Sequence, residues 1–152
     1  MEISPKLSFS PHAIFLKILR IILPLLVFGS PGTNWIFSGV TSDGASNCTA
    51  VGKQTGYLHT TGDYNVWVGS NAGFNSTTGL GNCYLGYTAG YSCVTGNNNV
   101  AIGKEALYAN TGTENTAIGL LSGRYQTGGN YNTFYGSRAG YAATSSQNTI
   151  MG

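Results

Sequence analysis

A large apolar residue stands immediately before each of seven regularly placed glycines. Val51, Val68, Leu85, Ile102, Ile118, Tyr135 and Met151 precede Gly52, Gly69, Gly86, Gly103, Gly119, Gly136 and Gly152. The glycines recur at intervals of 17, 17, 17, 16, 17 and 16 residues, which marks an array of short structural repeats. With each glycine as position 0, position −4 holds Cys48, Asn65, Asn82, Asn99, Asn115, Asn132 and Asn148. Position +3 is small (Thr55, Ala72, Ala89, Ala106, Ser122, Ala139), and position +4 is glycine in every copy but one, which has Leu107. Position +5 is aromatic in Tyr57, Phe74, Tyr91, Tyr108 and Tyr141, with Arg124 as the exception. Threonine-glycine pairs such as Thr61-Gly62, Thr78-Gly79, Thr95-Gly96, Thr111-Gly112 and Thr127-Gly128 close the units.

Helical spacing at three and four is absent from this region, and a unit of this length is too short for two helices. Two short strands and two glycine turns fit each unit, because glycine reaches positive φ without steric cost. One unit is then one coil. Coils stacked at ~4.8 Å give a parallel β-solenoid or β-roll of six to seven turns, about 30 Å long. In such a stack Asn65, Asn82, Asn99, Asn115, Asn132 and Asn148 form a ladder of side-chain amides. Gly52, Gly69, Gly86, Gly103, Gly119 and Gly136 supply the turns. The position −1 residues are expected in the core. Ala50, Trp67, Tyr84, Ala101, Ala117 and Phe134 at position −2, with Ile150, then face outward as a second apolar surface, which predicts self-association.

The first 32 residues have a different character. Lys6, His12, Lys17 and Arg20 precede the apolar run Ile21 to Phe28, and Gly29-Ser30-Pro31-Gly32 follows. The run is too short for a span of ~20 residues and contains Pro24, so an export signal over 1–32 is expected, with cleavage before Thr33. A retained membrane anchor, or an upstream extension of the frame, stays open. Residues 33–47 read as a lead-in or cap, and 48–152 as the array.

Charge narrows the function. The chain carries 7 basic and 5 acidic residues, and beyond residue 32 Lys53, Lys104, Arg124 and Arg138 balance Asp43, Asp63, Glu105 and Glu114. A basic nucleic-acid groove is therefore not expected. His59, the one histidine of the array, reads as an exposed turn residue without triad partners. Gly96, Gly103 and Lys104 have the wrong spacing for a phosphate loop, and Glu105 stands where its hydroxyl ligand belongs. A single aspartate in the array gives no calcium column. No catalytic residue, metal or cofactor is expected. Cys48, Cys83 and Cys93 read as free thiols, with a Cys83–Cys93 bond left open. Asn47 and Asn75 head sequons for glycosylation.

The runs Asn99-Val100-Ala101-Ile102-Gly103 and Asn115-Thr116-Ala117-Ile118-Gly119 resemble the head repeat of the YadA-type trimeric autotransporter adhesins, and also arrays of phage tail fibres. The resemblance covers about residues 48–152. It implies a left-handed parallel β-roll, three chains around an axis, and an adhesive role at the cell surface. The unit here is longer than the adhesin unit. The expected function is that of a secreted or cell-surface, non-enzymatic structural or adhesive repeat protein. Its expected partners are its own copies, as a trimer or fibril, and a glycan or extracellular matrix. Its expected contact with a membrane is only through residues 1–32. A glycan-binding fibre module and an ice-binding solenoid are the alternatives. The aromatic column is expected to pack at a coil corner, whereas an outward-facing column would suit sugars.

Overall fold

The computed structural model describes residues 36–38 and 47–152. Its strands are β1 (Ile36–Ser38), β2 (Thr49–Val51), β3 (Val66–Val68), β4 (Cys83–Leu85), β5 (Val100–Ile102), β6 (Thr116–Ile118), β7 (Thr133–Tyr135) and β8 (Thr149–Met151). All eight form one sheet in chain order, and β2 to β8 are parallel. Equivalent repeat positions lie side by side, so that Val66 pairs with Cys83, Cys83 with Val100 and Val100 with Thr116. The protein is an all-β parallel solenoid whose coil is the repeat. Antiparallel to β2 runs β1, with Ile36 opposite Val51, which covers the outer edge of the first coil. A bare edge would offer its peptide groups to any other strand. The proposed export segment lies outside the described residues, as do 33–35 and 39–46 of the lead-in.

One strand, not two, forms per coil. The second run does bond to the next coil through its backbone, as in Asn75 N to Tyr91 O (2.9 Å) and Ser92 N to Tyr108 O (2.8 Å). It is bent out of extension by left-handed residues at +2, such as Asn71 (φ 57) and Glu105 (φ 56), and at +4, such as Gly73 and Gly90 (both φ 59). The position 0 glycines from Gly52 to Gly136 hold φ between 124 and 144. Each presses on the next of its kind: a Cβ on Gly103 would lie 2.5 Å from the Gly119 carbonyl oxygen.

The strand faces are the reverse of the sequence expectation. Trp67, Tyr84, Ala101, Ala117 and Phe134 at position −2 are buried inside the coils, and Ala50 packs against them. The position −1 residues face outward, with Leu85 at 45%, Tyr135 at 57% and Met151 at 75% exposure. The reason is the asparagine. Its side chain at −4 is turned into the coil, and side chains in a strand alternate with a period of two, so −2 must follow it inward while −3 and −1 point out. The predicted interface set is therefore core.

The interior is filled by compensation within and between coils. Where −2 is bulky, +4 is glycine: a Cβ on Gly90 would lie 2.4 Å from the Tyr84 ring, and one on Gly140 2.2 Å from Phe134. Trp67 occupies the space above both Gly56 and Gly73. Where −2 shrinks to Ala101, +4 becomes Leu107, fully buried, and Leu107 with Phe134 closes the gap over Gly123.

Candidate functional site

Four columns run along the stack, and each decides what the surface offers. The asparagine ladder is the innermost. Asn65 Oδ1 accepts the Asn82 backbone N–H (2.9 Å) and its Nδ2 (3.1 Å). The backbone contact recurs from Asn82 to Asn99, Asn99 to Asn115, Asn115 to Asn132 and Asn132 to Asn148. The amides of Asn65, Asn82, Asn99 and Asn115 also cross the coil to a turn carbonyl, as in Asn82 Nδ2 to Gly96 O (2.8 Å) and Asn99 Nδ2 to Gly112 O (2.9 Å). In the first coil Cys48 Sγ takes the place of the amide, receiving the Asn65 N–H at 3.5 Å. The predicted ladder is present, and its role is to tie strand to turn.

Position +7 braces the same turns from within. His59 Nε2 lies 2.6 Å from Gly62 O, Asn110 Nδ2 donates to Gly112 O (3.2 Å), and Gln126 Nε2 donates to Gly129 O (2.5 Å). His59 is thus half-buried, edge-on to Trp67, instead of exposed in a turn. The turn column itself runs through Gly62, Gly79, Gly96, Gly112 and Gly129. In the fifth coil Gly129, not the expected Gly128, occupies the column, because nothing approaches a Cβ on Gly128 within 4 Å.

The aromatic column stands at the coil corner. Tyr57, Phe74, Tyr91 and Tyr108 stack with centroids 5.1 Å apart, the last pair only 3° from parallel. The sequence exception continues the stack: the Arg124 guanidinium lies 5.3 Å from the Tyr108 centroid and donates to Tyr141 Oη at 3.1 Å. Arg124 also pairs with Glu105 at 2.6 Å. The bond to Tyr141 raises the affinity of Arg124 for its proton further. A planar cation can replace a ring because it stacks through its π-face. Sequence reasoning missed this, although Arg124 sits in register with the rings.

The outward sheet face joins position −3 (Thr49, Val66, Cys83, Val100, Thr116, Thr133, Thr149) to position −1. It carries no charged residue, and Val66, Leu85, Tyr135 and Met151 are exposed on it. None of the three cysteines is in a disulfide: Cys83 is half-buried on this face, and Cys48 and Cys93 are buried. Burial pushes the Cys93 thiol up and the Tyr84 phenol well up from their ordinary ranges, so both stay protonated in the interior.

Asn47 is exposed and Asn75 half-buried. Among the described residues no group of three or more His, Cys, Asp or Glu side chains is placed to hold a metal ion, and no helix is long and apolar enough to cross a membrane. No protein-family model, curated protein or solved structure matches the chain.

Proposed function

We propose that the chain is a non-enzymatic structural and adhesive segment of an exported fibre, a rigid solenoid that associates laterally with its own copies. The observation that carries this reading is the outward face of β2 to β8, uncharged at every −3 and −1 position yet exposing Val66, Leu85, Tyr135 and Met151. Large exposed apolar patches mark interaction surfaces. The likeness of the repeat to adhesin heads supports the same reading, with the contact now placed on −1 and −3 instead of −2.

The size of the face sets the strength. Six strand spacings of ~4.8 Å by three residues of ~3.3 Å give roughly 300 Å² per copy. Two such faces bury about 600 Å², well under the ~1,200 Å² of a stable pair. Lateral contacts of this size are individually weak and add only when several copies, or several coils on a repeating surface, engage together. Sedimentation velocity of the full chain over a wide concentration range tests the reading. Reversible, concentration-dependent association is expected, abolished by Ile102→Asp with Ile118→Asp. A monomer at all concentrations, indistinguishable from that variant, would overturn it.

One observation favours a second reading, an ice-binding solenoid. Four of the seven −3 positions on the exposed sheet are threonine (Thr49, Thr116, Thr133, Thr149), next to aliphatic −1 neighbours in Val51 and Ile118. Thermal hysteresis of the full chain discriminates it.

A further inference from the structure

We infer that the aromatic corner of the solenoid binds an extended, uncharged β-1,4-linked polysaccharide lying parallel to the stacking axis. This site is distinct from the sheet face invoked above, and it stands or falls separately.

The stacked rings leave little of themselves available. Tyr57, Phe74, Tyr91 and Tyr108 cover one another's faces at 5.1 Å, so none of the internal rings can offer a face to a single sugar. Tyr57 is exposed and Phe74, Tyr91 and Tyr108 are half-buried, so what they offer to solvent is ring edges and phenol hydroxyls. The hydroxyls of Tyr57, Tyr91 and Tyr108 have no hydrogen-bond partner among the described residues. A phenol is both donor and acceptor, so each is a ready contact for a hydroxyl group. Beside the rings, position +6 is half-buried in Asn75, Ser92 and Ala109, between the exposed Leu58 and Tyr125. These side chains form a strip along the axis beside the phenols.

The repeat selects the ligand. The rings recur at one coil spacing, 5.1 Å between centroids, with phenols in adjacent coils at Tyr91 and Tyr108 and two coils apart at Tyr57 and Tyr91. An extended β-1,4-linked chain is straight, advances by close to that distance per sugar and turns each sugar over relative to the last, so alternate sugars meet the phenols of alternate coils, Tyr57 and Tyr91, in the same way. An α-1,4-linked chain coils and loses register after one or two contacts. Charge points the same way. The one cation on the strip, Arg124, is already paired with Glu105 and hydrogen-bonded to Tyr141, so no unpaired charge remains there to select an acidic polymer. Single hydroxyl contacts are weak, and their sum along a polymer gives useful retention.

Binding of the full chain to microcrystalline cellulose, chitin and granular starch tests this inference. Depletion from solution by cellulose or chitin, and none by starch, is expected. Tyr91→Phe with Tyr108→Phe keeps the stacked rings and removes two hydroxyls, so retention should fall about tenfold with an unchanged melting temperature. The variant Ile102→Asp with Ile118→Asp, which disables lateral association, should bind like the wild type, which separates the two proposals. Absence of retention on both β-linked polymers, equal retention on starch, or undiminished retention of the phenylalanine variant would each overturn the inference.

Discussion

Asn97, Asn98 and Asn99 are consecutive and chemically identical, yet the fold gives them unequal weight. Asn99 is fully buried. Its Oδ1 accepts the Asn115 N–H (2.9 Å), and its Nδ2 donates to Gly112 O (2.9 Å) and to Asn82 Oδ1 (3.2 Å). Truncation to alanine strands the Asn115 N–H away from water. Gly112 O keeps the Asn110 amide, and Asn82 Oδ1 keeps the Asn99 backbone N–H, so only one group is orphaned. One orphaned donor costs about 1–3 kcal/mol, and the lost packing of a buried amide raises the total to roughly 2–4 kcal/mol. With 1 kcal/mol worth about 4–8 °C in a domain near 100 residues, Asn99→Ala should lower the melting temperature by roughly 10–25 °C. Asn99→Asp should be at least as damaging, since it turns an oxygen toward Gly112 O and buries a carboxylate. Asn98, exposed at φ 53, should tolerate glycine with a change of about 2 °C or less. Thermal denaturation followed by circular dichroism compares the three variants. If Asn99→Ala melted at the same temperature as Asn98→Gly, the ladder would not be what ties strand to turn.

Gly103→Ala should prevent the coil from closing, because its Cβ would meet a backbone oxygen at 2.5 Å; Gly128→Ala, with open space around it and φ 75, should cost only about 1–2 kcal/mol. The yield of soluble folded protein and its melting curve measure both, and equal effects would contradict the corner geometry. Tyr84 and Cys93 are held protonated by burial, whereas unfolded they ionise near 10.0 and 9.0, so their contribution to stability is complete below those values and is lost as pH rises above them. Melting temperatures between about pH 7 and 11 should fall more steeply above pH 10 in the wild type than in Tyr84→Phe, and parallel slopes would refute the assignment.

The solenoid is legible in the sequence because its signal is periodic: glycines that tolerate no Cβ and asparagines that need an identical neighbour recur at the coil length whatever lies between them. The faces are easily misread from the same residues. Ile102 and Ile118 are larger than Ala101 and Ala117, and size alone suggests that the larger side chains are inside. The inward amide of Asn99, three residues before Ile102, fixes the alternation and places Ala101 inside. A second strand follows from run length alone, but the left-handed residues that bend it, Glu105 and Leu121 among them, are types that enter that region at a cost and so leave little trace in sequence. The role of His59 is hidden because Asn110 and Gln126 brace the same turns with different chemistry. Arg124 looks like a break in the aromatic column, whereas its planar cation continues it.

Leu107 shows how the interior resolves such conflicts. It occupies the one +4 position that is not glycine, at φ 46, a left-handed conformation that costs a leucine about 1–2 kcal/mol. A glycine there would relieve that strain, but Ala101 across the coil leaves room that only the leucine fills, and an unfilled cavity of leucine size costs about 2–5 kcal/mol. The void would cost more than the strain, so the strained leucine is the stable solution. Tyr84 with Gly90 and Phe134 with Gly140 solve the same volume problem in the opposite sense. The interior is therefore filled either within a coil or from its neighbour, as Leu107 and Phe134 fill the space at Gly123, while the residue at each position varies. The outward ranks and the phenol edge escape that constraint, which leaves them free to carry whatever the solenoid recognises.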